Sequence, residues 1–273
     1  MLESRKRDIR KQAYALREKC KVSRYGIIDL FKECERLGYK LLRYPLGEEA
    51  DLGFVMKKDN DIVIFTNTCS RLAREIFTLA HEIGHVVLHL ERANSFIDDA
   101  ITIAGRSTNE KEQEANYFAS CLLMPEDEVD KFLDLEIVDF KSKGLTAMDI
   151  ARIMSEFNVS FEMALNRLEN LEKISGNERT KLDNARIQLR VGNLLRSVGG
   201  NQRLNEATEE IEIPHEYIEY IIDNYNHNVI PQETLEKALE CYHLTIEDIS
   251  DKLVEREEAE EDDLDALLGG IAD

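Results

Sequence analysis

Residues 70–92 read SRLAREIFTLAHEIGHVVLHLER. Apolar residues recur along this stretch at spacings of three and four, which is the period of one face of an α-helix. The pattern predicts a long amphipathic helix from about Ser70 to Arg92. Because His81 and His85 are four residues apart, their side chains lie on the same face of that helix, one turn from each other. We therefore expect this helix to contain the functional residues of the protein.

The motif His81-Glu82-Ile83-Gly84-His85 contains the parts of a hydrolytic metal site. Two imidazole nitrogens on one helix face can bind a single ion at about 2.0–2.1 Å. Glu82 follows the first histidine, where it can take a proton from a water molecule that attacks a peptide carbonyl. The competing interpretation is a pair of histidines on an ordinary helix surface. It is disfavoured because the motif falls inside a strongly amphipathic helical segment.

A catalytic zinc ion needs a third protein ligand. His89 lies on the same helix face, but it is about 12 Å from His81 along the axis. We expect His89 to support the ligands through packing or hydrogen bonding rather than to bind the ion.

A second predicted helix, which opens near Thr108 and ends near Leu123, is rich in acids. Within it Glu112 and Asn116 are four residues apart, so the carboxylate can bind the ion while the amide orients a ligand histidine. Spacing alone leaves three acids as candidates for the third ligand. They are Glu110, Glu112 and Glu114.

Two runs together, FTLAHEIGHVVLH at 77–89 and EQEANYFASCLLMP at 112–125, resemble the ImmA/IrrE family of metallopeptidases. The resemblance covers about residues 20–175. In that family the third ligand is the glutamate three residues before the alanine of E-x-x-A-N/D, which implies Glu112 here. It also implies a zinc cofactor, with manganese as the alternative, since two imidazoles and a carboxylate accept either ion.

The resemblance implies a biological role as well as a reaction. Members of the family cleave, or act to relieve, helix-turn-helix repressors of mobile elements or stress responses. The expected function is a zinc-dependent endopeptidase with such a repressor as substrate. The alternative is a metal-containing binding protein that sequesters a repressor, or acts as an antitoxin-type partner, without cleavage. A DNA-binding regulator is a weaker third hypothesis, because no basic, aromatic-rich surface follows the helical hairpin expected at 145–171.

The rest of the chain predicts an α+β fold. A basic helix from Ser4 to about Lys21 precedes a second helix with Ser23 as its N-cap. Strands are expected at 39–44, 53–56 and 62–66. They form a small three-stranded sheet packed on the helices of a zincin-like peptidase domain. In a zincin arrangement, the strand at 62–66 is the edge on which an extended substrate pairs.

Turn signals divide the chain into three parts. Residues 1–175 form the expected peptidase domain, including the 145–171 hairpin. Residues 176–254 form an all-helical accessory module, in which Pro214 and Pro231 suit the first turns of helices. Residues 255–273 are acidic and of low complexity, so disorder is expected there.

Composition indicates a globular chain of 273 residues, with 43% hydrophobic and 33% charged residues. The net charge of −20 is concentrated at one end, since residues 201–273 hold four Lys/Arg against twenty-two Asp/Glu. This acidic end is unsuited to nucleic acid, so we expect no direct nucleic-acid binding; it can dock a basic partner or serve as a solubilising surface.

Neither the amino terminus nor the cysteines indicate export. No apolar run approaches the ~18–20 residues of a membrane span, and the charged amino terminus lacks the pattern of a secretory signal. The five cysteines are scattered without a C-x-x-C pair, which predicts reduced thiols. A cytoplasmic protein without membrane association is therefore expected.

Overall fold

The computed structural model describes residues 1–47, 49–50, 52–58, 61–90, 101–102, 110–138 and 140–254. The predicted acidic tail, 255–273, lies outside the described residues. The strands are β1 Lys40–Tyr44, β2 Gly53–Lys58, β3 Asp61–Asn67 and β4 Ile101–Thr102. The α-helices are α1 Glu3–Arg17, α2 Leu30–Arg36, α3 Leu72–His89, α4 Glu110–Leu123, α5 Glu126–Glu136, α6 Phe140–Lys143, α7 Ala147–Phe157, α8 Phe161–Asn170, α9 Gly176–Leu189, α10 Val191–Ser197, α11 His215–Asn226 and α12 Gln232–Glu240. Short 3-10 helices span Gln202–Asn205 and Glu247–Lys252.

The strands form one mixed sheet in the order β1-β3-β2-β4. β1 pairs parallel with β3, with Leu41 opposite Ile64, and β2 pairs antiparallel with β3, with Val55 opposite the same Ile64. The predicted α+β class is confirmed. β4 adds a fourth, two-residue strand to the three that the sequence predicts; it is antiparallel to β2, with Ile101 opposite Val55.

Helix α3 contacts β2, β3 and α4, and this packing explains its strong apolar pattern. Leu79 and Ile83 have no solvent exposure, and full burial of such a side chain contributes about 1.5–3 kcal/mol. Gly84 lets α4 approach closely. A Cβ at Gly84 would lie 3.1 Å from Phe118 Cδ1 and 3.2 Å from Ala115 Cα. The missing side chain at position 84 therefore allows the two helices that carry the predicted ligands to meet.

The amino-terminal helix α1 packs against α4, as its apolar stripe predicts. Its buried residues are Ile9, Ala13 and Leu16. The predicted start of the second helix is wrong. Asp29 is the N-cap of α2 and accepts a hydrogen bond from Lys32 N at 3.2 Å. Ser23 lies in a turn before α2, where its hydroxyl accepts from Gly26 N at 3.0 Å and donates to Glu156 Oε1 at 2.8 Å.

The chain divides into two compact units, 1–212 and 213–273. The predicted hairpin lies in the first unit, where Asn158 links α7 and α8 in the left-handed conformation with φ 55°. The predicted boundary near Gly176 also falls inside this unit. Ser175 caps α9 there, and Leu182 of α9 joins the same core as α7. The turn residues Ser175 and Gly176 therefore mark the start of a helix and not the end of the first unit.

The second unit has its own small helical core. It consists of Ile218, Ile221, Ile222, Tyr225, Leu235, Leu239 and Ile249. Helices α11 and α12 begin directly after Pro214 and Pro231, as the prolines predict. Across the described parts of both units, no helix combines the length and the apolar composition needed to cross a membrane.

Candidate metal site

The three predicted ligands converge where α3 meets α4. The Nε2 atoms of His81 and His85 are 2.9 Å apart. Glu112 Oε2 lies 3.3 Å from His81 Nε2, and Glu112 Oε1 lies 3.3 Å from His85 Nε2. All three side chains are buried, and their ligand atoms lie within 4.8 Å of one another.

The separations between these atoms fit a divalent ion. Two ligands that each lie about 2.0–2.1 Å from a tetrahedral ion are about 3.3–3.4 Å apart. Each Glu112 oxygen lies at about this distance from one of the two histidine nitrogens, and the histidine–histidine separation is shorter, at 2.9 Å. Two imidazoles and one carboxylate are also the donor set of many catalytic zinc sites, which keep a fourth position open. The residues present therefore suit a metal ion of this kind.

Glu82 lies next to this cluster and is fully buried. Neither of its carboxylate oxygens has a hydrogen-bond partner within the described part of the chain. Burial, followed by the nearby Glu112 carboxylate, raises the pKa of Glu82 to about 9. An unsatisfied buried polar group costs about 1–3 kcal/mol or more. A buried carboxyl such as Glu82, left without partners beside a cluster of metal ligands, is suited to proton transfer.

Asn116 orients the first histidine. Its Oδ1 lies 2.9 Å from His81 Nδ1. Since an amide oxygen only accepts, His81 must donate from Nδ1, which leaves the lone pair of Nε2 directed toward the cluster. Asn116 therefore lies where its amide can orient His81.

His89 lies behind the second histidine and does not join the ligand cluster. Its Nδ1 is 3.0 Å from His85 Nδ1, and its Nε2 is 3.2 Å from Glu114 Oε2. Burial lowers the pKa of both His85 and His89. The structure also separates the three candidate acids. Glu112 faces the histidines, Glu114 faces His89, and Glu110 is exposed.

A family model for the IrrE N-terminal-like domain matches residues 34–169. The chain belongs to the ImmA/IrrE family. It is therefore of the metallopeptidase type, which implies a metal cofactor. The matched ImmA/IrrE region contains Glu82 and all three ligand residues, whereas α1 and the helices from α9 onward lie outside it. No curated protein matches the chain.

The substrate edge predicted within this ImmA/IrrE domain is wrong. β3 has β1 on one side and β2 on the other, so neither of its edges is available. The strand close to Glu82 is β2. A Cβ at Gly53 of β2 would lie 3.4 Å from Glu82 Oε1 and 2.5 Å from Thr78 Cγ2. Tyr117 is partly buried and packs against the core.

One residue connected to the site was not predicted. Arg5 of α1 forms a two-point ion pair with Glu114, with Nε donating to Oε1 at 2.7 Å and Nη2 donating to Oε2. No local pattern could have revealed this contact, because the partners are 109 positions apart. The only available sequence signal is the excess of basic residues at the amino terminus.

Proposed function

We propose that the chain is a cytoplasmic zinc-dependent endopeptidase that cleaves a helix-turn-helix transcriptional repressor. The observation that carries the proposal is the grouping of His81, His85 and Glu112 at spacings suited to a metal ion, beside Glu82, which has no hydrogen-bond partner among the described residues. Family membership supports peptide hydrolysis as the reaction. Zinc suits the spacing and donor set best, and manganese is the alternative ion.

His81, His85 and Glu112 would hold the ion. When bound, the ion supplies Lewis-acid polarisation of the scissile carbonyl and makes water a stronger nucleophile at neutral pH. Glu82, whose carboxylate form the positive charge of the bound ion would stabilise, takes one proton from the attacking water as general base while the oxygen bonds to the carbonyl carbon. As the carbon–nitrogen bond breaks, Glu82 passes that proton to the departing amine, so one water is consumed for each bond cleaved.

Charge supports the choice of a repressor as the protein partner. Helix-turn-helix domains present basic surfaces to DNA, and residues 201–273 of this chain are strongly acidic. Opposite charges steer association and suppress binding of wrong partners. We propose that the acidic end docks a basic repressor, and that the chain does not itself bind nucleic acid.

The test is incubation of the metal-loaded, full-length chain with the helix-turn-helix repressor encoded nearest its gene. Three proteins are compared, namely the wild type, Glu82→Gln and the matched control Glu110→Gln, which alters an exposed glutamate at the start of α4. Intact mass spectrometry of the repressor reports cleavage. We expect discrete fragments with the wild type and the control, and an intact repressor with Glu82→Gln.

A different pattern would favour the binding-protein alternative. If the wild type and Glu82→Gln relieve repression equally in a reporter strain and neither cuts the repressor, the chain acts by sequestration and the proposed hydrolysis is wrong.

A further inference from the structure

A continuous chain of side-chain contacts runs from the ligand histidine His85 to helix α1. His85 Nδ1 lies 3.0 Å from His89 Nδ1, and His89 Nε2 lies 3.2 Å from Glu114 Oε2. Glu114 then accepts from Arg5 at both carboxylate oxygens. His85 and His89 are buried, and Arg5 and Glu114 are largely covered, with side chains 24% and 16% exposed. These four side chains are therefore mostly shielded from solvent, where hydrogen bonds strongly restrict the orientation of the groups they join.

The Glu114 carboxylate determines which ring nitrogens of His89 and His85 carry protons. A carboxylate only accepts, so His89 donates from Nε2 to Glu114. A neutral His89 then has an acceptor at Nδ1, and His85 donates to it from its own Nδ1. That leaves His85 with an unprotonated Nε2, the atom that faces Glu112 and His81. If Glu114 were turned away, His89 could adopt the other tautomer and His85 could present a proton to the cluster instead.

Arg5 is what keeps Glu114 turned toward His89. Its two-point contact restricts the carboxylate to one plane, and such paired, charge-assisted bonds are among the stronger ones in proteins. Helix α1 is itself held on α4 at its far end, where Arg17 Nη1 donates to Leu122 O at 3.0 Å. Arg5 therefore reaches Glu114 from a fixed helix. This helix precedes the 34–169 region that matches the family model.

We propose that Arg5 and Glu114 are positioning residues of the metal site, which act through His89 to hold His85 in its metal-binding tautomer. The inference rests on the metal site proposed above and extends it to a helix outside the family match. Metal affinity in this protein then depends on docking of the amino-terminal helix, although neither Arg5 nor Glu114 touches the ion.

The test measures Co²⁺ binding to the full chain, with the dissociation constant from chelator competition and the visible absorption spectrum as a readout of ligand geometry. Glu114→Ala is expected to weaken Co²⁺ binding by about 10–100-fold, the usual effect of losing a group that orients a ligand histidine. Arg5→Ala is expected to weaken it by about 3–10-fold, because Glu114 remains but is less restricted. Both variants should also change the Co²⁺ spectrum.

Conservative variants and a matched control separate positioning from general stability. Glu114→Gln keeps an oxygen that accepts from His89, and Arg5→Lys keeps a charge near Glu114, so each should recover part of the affinity and should still fold. Arg10→Ala removes a comparable ion pair on the same helix, between Arg10 Nη1 and Glu126 Oε2 at 3.0 Å. Since that pair is more exposed, the control should bind Co²⁺ within about twofold of the wild type.

Two results have distinct meanings. If the wild type binds Co²⁺ but Glu114→Ala and Arg5→Ala bind it within about twofold with an unchanged spectrum, a range a surface ion pair alone could produce, the positioning role is wrong while the metal site stands. If the wild type binds no Co²⁺, the proposed metallopeptidase function is wrong, and the positioning role is wrong with it.

Discussion

Two glutamates of helix α3 are both almost completely buried, yet their surroundings are opposite. Glu75 is 1% exposed and Glu82 is 0% exposed. Glu75 accepts from Arg43 Nε at 2.8 Å, from Arg43 Nη2 at 3.1 Å and from Thr66 Oγ1 at 2.9 Å. Glu82 has no hydrogen-bond partner among the described residues.

The difference indicates that the first turn of α3, with Glu75, stabilises the fold, whereas the second half, with Glu82, carries the catalytic group. At Glu75 the cost of burying a charge is offset by a paired guanidinium and a hydroxyl. Arg43 also contacts Glu210 and Glu212, so the pair ties β1 and α3 to the segment that ends the first unit. At Glu82 neither carboxyl oxygen has a partner among the described residues, as expected of a group placed for proton transfer.

The largest effect is expected at Glu82 itself. Glu82→Gln should lower the rate of peptide hydrolysis by about 10²–10⁴-fold, the usual contribution of a general base. The ion content should remain that of the wild type, because Glu82 is not a ligand. Steady-state cleavage of a fluorogenic peptide drawn from a cleaved substrate measures the first quantity, and elemental analysis the second. A variant that retains most of the wild-type rate would show that another group serves as the base.

At the other end of the helix the effect should fall on stability. Glu75→Met should lower the free energy of unfolding by about 3–5 kcal/mol, because it leaves the buried Arg43 without its main partner. Urea denaturation followed by circular dichroism measures this change. Glu210→Gln, which removes a half-exposed partner of the same arginine, is the control and should lose less than about 1 kcal/mol. Equal losses for the two variants would mean that Glu75 has no special role in the ion network.

Replacement of Glu82 by methionine should raise the free energy of unfolding, whereas the same replacement at Glu75 lowers it. Glu82→Met replaces two unsatisfied oxygens by apolar atoms of similar size, so the metal-free protein should gain about 1–3 kcal/mol of stability. The same denaturation measurement in the presence of a chelator tests it. A loss of stability would indicate that Glu82 has partners in the metal-free protein, and the contrast with Glu75 would disappear.

A smaller effect is expected where α3 and α4 meet. Gly84→Ala adds a methyl that crowds Phe118 and Ala115, at a cost of about 1–3 kcal/mol. The helix gains about 0.5–1 kcal/mol from the replacement of glycine, so the net loss of stability should be at most about 2.5 kcal/mol.

The more telling readout for Gly84→Ala is metal affinity, which should fall by about 3–10-fold, or about 0.7–1.4 kcal/mol, as Glu112 moves away from the histidines. Gly192→Ala in α10 is the control, because the nearest atom to its new Cβ is Asn205 Nδ2 at 3.8 Å. It should leave metal affinity unchanged. Unchanged affinity in Gly84→Ala as well would show that the helix separation does not limit the site.

The sequence predicted α3 and the histidine positions because helical periodicity is a local property of the chain. It left Glu110, Glu112 and Glu114 as alternatives because all three lie within about one helical turn. The family resemblance implied Glu112, and the position of α4 against α3 shows that its carboxylate faces the two histidines. Strand order could not be predicted from local sequence patterns either. The sequence indicated β3 as an edge strand, but β3 pairs with β1 in parallel. The contact of Arg5 with Glu114 depends on helix docking over a long sequence separation.

The pairing of α3 and α4 in one metal site is tested by the metal content of the purified chain, measured by elemental analysis for the wild type, Glu112→Ala and Glu110→Ala. The three acids on α4 differ in burial and direction, so the two variants should differ sharply. We predict about one divalent ion per chain in the wild type and in Glu110→Ala, and loss of that ion in Glu112→Ala. Undiminished metal content in Glu112→Ala would contradict the assignment of α3 and α4 as the two halves of one metal site.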